Sequence, residues 1–123
     1  MKVGLVAGAL LVAVAAPASA MSVDIFLAKA QALKKKGPLA LFSGDLKLLT
    51  NQVKSDAGEI RTDRLAAEKA GKRGNHCPPA AGVKMSDKDV LAAMEAVPAA
   101  QRPRTSTKAA LAAYLARRFP CRA

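Results

Sequence analysis

Tryptophan is absent from this 123-residue chain, and the only aromatic side chains are Phe26, Phe42, Tyr114 and Phe119. A small core with so little aromatic area is marginal. Histidine occurs once, at His76, and cysteine twice, at Cys77 and Cys121. One His and two Cys cannot complete a tetrahedral zinc site without a carboxylate or a second chain. The cysteines are also not spaced as a Cys-x-x-Cys redox motif. No Gly-x-Ser-x-Gly elbow, Gly-rich phosphate loop or paired acid–base carboxylates occur. Asp87 and Asp89 read as first-turn helix charges. The expectation is therefore no catalysis, no metal and no cofactor. Acids are scarce as well, nine against 20 Lys and Arg, a net charge of +11. No run shows sustained β-branched alternation, so no strand is expected.

What is present begins with an export signal. Lys2 forms a short basic n-region, Val3 to Ala16 is an apolar or glycine run, and Ala18-Ser19-Ala20 is a small-residue cleavage site. The run is short for a membrane span, which needs about 20 apolar residues. Residues 1–20 are thus expected to be a cleavable signal peptide and 21–123 a single helical domain of 123 − 20 = 103 residues. Loss of Lys2 takes the charge from +11 to +10. The expected location is the periplasm, with secretion second and no stable membrane insertion. In an oxidising compartment Cys77 and Cys121 most simply form one disulfide. Closing a loop of about 45 residues contributes roughly 4 kcal/mol in the chain-entropy model.

The rest of the chain reads as helix. Ser22 is a candidate N-cap before Val23, Phe26, Ala30 and Leu33, and Lys34, Lys35 and Lys36 suit the helix end that Gly37-Pro38 terminates. After Leu39-Ala40-Leu41-Phe42, a longer helix places Leu46, Leu49, Val53, Ala57, Ile60 and Arg64 on one face. Lys54, Asp56, Glu59, Arg61, Asp63, Arg64 and Glu68 alternate in charge on the other. Gly71 to Gly74 ends this helix, and a Pro/Gly-rich loop runs to Met85. Ser86 with Asp89 resembles a capping box. Pro98 and Pro103 bracket a turn, and Thr105 or Ser106 caps a last helix carrying Leu111, Tyr114, Leu115 and Phe119. The expected fold is all-α, a small four-helix bundle with one disulfide closing the C-terminal helical hairpin, 77–121. The first two helices are expected to dock through Phe26, Leu33, Phe42, Leu46, Leu49 and Val53.

The basic excess falls in separate clusters, and Lys34, Lys35, Lys36, Arg102, Arg104, Arg117 and Arg118 form the candidate contact surface. Such charge attracts a polyanion, an acidic protein face or anionic lipid, or simply keeps a surface solvated. Nucleic acid is not expected, because the compartment is wrong and no aromatic stacking platform is interleaved with the charge.

The C-terminal half resembles a known family. His76-Cys77-Pro78-Pro79, a capped helix ending at Val97-Pro98, Arg102, Ala109-Ala110-Leu111 and a terminal Phe119-Pro120-Cys121 look like the Rap/Tai immunity proteins of type VI secretion systems. The resemblance implies a small periplasmic helical protein that binds a secreted effector, commonly a peptidoglycan amidase, and blocks it. Cys77 and Cys121 carry over as a structural disulfide. The N-terminal half lacks the family's usual Gly- and Cys-containing helix opening. The alternatives are a small periplasmic stress chaperone and a polyanion-binding envelope protein, and a homodimer stays open.

Overall fold

The computed structural model describes residues 20–122. The signal-peptide expectation, apart from Ala20, lies outside the described residues. Among them the regular structure is helical. The α-helices are α1 (Val23–Lys36), α2 (Gly44–Lys69), α3 (Asp87–Glu95) and α4 (Thr107–Arg118). Two 3-10 helices, Gly37–Phe42 and Ala99–Arg104, join α1 to α2 and α3 to α4. The all-α expectation holds, while a plain count of four helices omits these two connecting elements.

Local chemistry sets the boundaries. Gly37 closes α1 at φ +57°, a backbone region that disfavours a Cβ, and its N–H donates to the Lys34 carbonyl. Ser43 caps α2 by accepting from the Asp45 N–H. Ser86 and Asp89 form a reciprocal capping box on α3. Ser106, rather than Thr105, caps α4 through the Ala109 N–H. Ser22 makes no side-chain cap; it sits in an isolated antiparallel bridge with Ser106. There the Val23 N–H donates to the Thr105 carbonyl at 2.9 Å, and the Thr107 N–H to that of Met21 at 2.8 Å. The starts of α1 and α4 are thereby joined.

Apolar burial forms two adjoining clusters. In the first, Val23, Phe26, Leu27 and Leu33 of α1 meet Leu49 of α2, Met94 of α3 and Ala110 of α4. In the second, Ile60, Ala93, Leu111 and Leu115 join α2, α3 and α4, with Tyr114 and Phe119 packed against them. Leu46 and Val53 pack on the first cluster as expected. Phe42 does not: it is 88 % exposed. Its place in the 3-10 helix after α1 carries it off the α1–α2 seam.

The inward face of α2 is also different from the expected one. Ala57 is exposed, and Asp56, expected on the solvated face, is 3 % exposed. Asp56 accepts from the Thr107 hydroxyl at 2.6 Å and from the Gln52 amide at 2.9 Å. A buried carboxylate needs such donors. Burial pushes the Asp56 carboxyl above its ordinary range, and these two hydrogen bonds oppose that shift.

Candidate functional site

Three features stand out beyond the core: an apolar protrusion, a cleft beside it, and a stapled C-terminal end.

The protrusion is the Gly37–Phe42 3-10 helix. Leu39, Leu41 and Phe42 are 70 %, 76 % and 88 % exposed. Its base is held on both sides. Pro38 restricts the backbone at the start, and the Ser43 N–H donates to the Ala40 carbonyl at the end. Lys34, Lys35 and Lys36 lie in the last turn of α1 immediately before it, all exposed. A short, anchored turn thus presents bulky apolar side chains beside three ammonium groups. Apolar side chains gathered in this way mark contact surfaces more than singly scattered ones do.

The cleft, of about 480 Å³, opens between α1, α2 and the start of α3. Phe26, Leu33, Leu46, Leu49, Val53 and Leu91 line it. Its charged lining residues are Lys34, Lys54 and Asp87.

At the stapled end the Cys77–Cys121 disulfide spans 44 residues. The Cys77 N–H donates to the Phe119 carbonyl, and Asn75 Nδ2 donates to the Ala112 carbonyl, so the loop is laid along α4. His76 is buried beside Asn75, and burial, with the nearby Arg64 charge, lowers its pKa. A Cβ on Gly74 would lie 2.8 Å from Arg64 Cγ, so the loop approaches α2 closely there. Among the described residues no group of three or more His, Cys, Asp or Glu could hold a metal ion.

The candidate basic residues separate by role. Arg102 is half-buried and bonds the Val97 and Glu95 carbonyls through Nε and Nη2, closing the end of α3. Arg118 pairs with Asp89 at 2.8 Å, bonds the Tyr114 hydroxyl and lies 5.4 Å from the Phe119 ring centre. The Ser86 N–H above all, then the Tyr114 and Ser86 hydroxyls and the Arg118 charge, hold the Asp89 carboxyl down at about 2. Arg104 and Arg117 are exposed. Lys34, Lys35 and Lys36 alone flank an apolar protrusion. Arg102 and Arg118 thus join α3 to its neighbours.

Sequence reasoning missed the exposure of the Leu39–Phe42 segment. The signal was present in Gly37-Pro38 on one side and Ser43-Gly44 on the other, which bound a segment too short to bury both its faces. The Asp56–Thr107 pair joins residues 51 apart and left no local signal.

No family model, curated protein or solved structure matches the chain. Among the described residues no helix is long and apolar enough to cross a membrane.

Proposed function

We propose that this protein is a periplasmic binding protein that neutralises a cell-wall-degrading effector by direct contact, as the Rap/Tai resemblance implies. The reading takes the α-helices as a small four-helix bundle whose stapled hairpin serves as scaffold. The observation that carries it is the protrusion: Leu39, Leu41 and Phe42 exposed beside Lys34–Lys36. Exposed Phe and Leu on a rigid turn supply apolar anchors for a partner's pocket, and the lysines favour a partner with an acidic rim. Neither role requires a nucleophile, metal or cofactor.

A pull-down from periplasmic extract with the oxidised protein, at stepwise increasing salt, tests this reading. One stoichiometric cell-wall hydrolase retained at high salt is the expected result. A salt-labile mixture would instead mark a polyanion binder. A stress chaperone would hold many unfolding clients, with holdase activity present at low pH.

A further inference from the structure

The protrusion leaves the neighbouring cleft unexplained. Its volume of about 480 Å³ falls within the roughly 300–1,000 Å³ of small-molecule sites. Its floor is apolar, built from Phe26, Leu33, Leu49 and Val53. Thr50 also lines it, but its hydroxyl proton is donated to the Leu46 carbonyl at 2.8 Å, which leaves that oxygen only as an acceptor. The remaining polar groups are charges: Lys34 on α1, Lys54 on α2, and Asp87 in the first turn of α3. Among the described residues neither lysine is in an ion pair. Asp87 lies where a helix N-terminus offsets negative charge, which leaves the two ammonium groups dominant.

Charge decides between occupants. A second copy of this chain could offer Leu39, Leu41 and Phe42, but Lys34, Lys35 and Lys36 would travel with them toward a rim that is already positive. A neutral polar metabolite would find one neutral side-chain acceptor, the Thr50 oxygen, and no side-chain amide to orient it. An apolar chain ending in an anion satisfies both the floor and the rim.

We propose that this cleft binds a single-chain anionic amphiphile of the fatty-acid type, as a monomer, with Lys34 or Lys54 meeting its carboxylate. The site shares Lys34 with the flank of the protrusion, but its apolar floor is distinct from Leu39, Leu41 and Phe42 and it does not depend on the effector reading.

Laurate and dodecylammonium, each below its micellar concentration, and dodecanol below its solubility limit, are titrated calorimetrically into the oxidised protein. Methyl spectra of the methionines are recorded in parallel, because Met85 lines the cleft whereas Met21 does not. One laurate should bind per chain, shifting the Met85 methyl and leaving Met21 in place. The Lys34→Glu/Lys54→Glu pair, with unchanged circular dichroism, should weaken laurate by about tenfold or more. Leu41→Ser/Phe42→Ser should leave it unchanged. Dodecanol or dodecylammonium binding as tightly as laurate would overturn the proposal. So would laurate binding that is lost with the protrusion instead of the lysines, or association with anionic vesicles in the absence of monomer binding.

Discussion

The two halves of this molecule use their apolar residues differently. Every exposed large hydrophobic side chain among the described residues lies at or before Leu65: Ile25, Leu39, Leu41, Phe42, Leu48 and Leu65. After Cys77 the chain is closed by a disulfide, a capping box, Arg102 on the Glu95 and Val97 carbonyls and the Asp89–Tyr114–Arg118 cluster. Leu111 and Met94 there are fully buried. The C-terminal half invests its side chains in internal contacts, and the N-terminal half leaves bulky ones in solvent. Exposed apolar groups add little to stability, so their concentration in one half points to contact with something else.

The sharpest break of this comparison is removal of the staple. Cys77→Ser/Cys121→Ser should lower the unfolding free energy by about 4 kcal/mol on loop entropy, as read by urea denaturation. A loss below about 1 kcal/mol would mean that the C-terminal half holds itself together without it. Next in size, Leu111→Ala should cost about 3 kcal/mol through the cavity it leaves. Leu41→Ala, a change of the same chemistry at an exposed site, should stay within about 0.5 kcal/mol.

The halves meet at the buried Asp56, and Thr107→Val tests that junction. It removes a donor to a buried carboxylate and should cost about 2 kcal/mol. Asp56→Asn removes the charge but keeps an acceptor for Thr107, so at neutral pH it should be neutral or stabilising.

The same residue sets a pH dependence. Asp56 has a raised pKa in the fold, so its ionised form weakens the fold. That penalty is relieved as pH falls through its raised value toward 3.8. Asp89 acts in the opposite sense: its contribution is present above 3.8 and is lost as pH falls toward about 2. His76, lowered from 6.5, favours the fold when neutral, and that contribution fades as pH falls below 6.5. Asp56→Asn should therefore abolish the acid-side relief in urea midpoints measured from neutral to acid pH. A midpoint profile parallel to that of the unsubstituted protein would show that Asp56 does not titrate as its burial dictates.

Much of this fold was legible in local signals. Gly37, Ser86 and Ser106 mark element boundaries because caps and left-handed turns depend on neighbouring residues alone. The stripe of Leu111 and Leu115 likewise follows from helical spacing. Long-range partners were not legible. Asp56 looks like one charge among several on α2, and only Thr107, 51 residues away, explains its burial. Arg102 looks like surface charge until the carbonyls at the end of α3 come within reach of its guanidinium. Phe42 looks like core by type, but the 3-10 helix turns Ala40 toward the first cluster and leaves Phe42 in solvent.

The central claim is that contact resides in the N-terminal protrusion and that the stapled half is scaffold. The most direct measurement is the calorimetric Kd for the cell-wall hydrolase recovered by pull-down, for three forms of the oxidised protein. Leu41→Ser/Phe42→Ser should weaken binding about a hundredfold, roughly 2.7 kcal/mol, while Arg104→Gln/Arg117→Gln leaves it within about threefold. Affinity that survives loss of Leu41 and Phe42 but collapses with Arg104 and Arg117 would contradict the account.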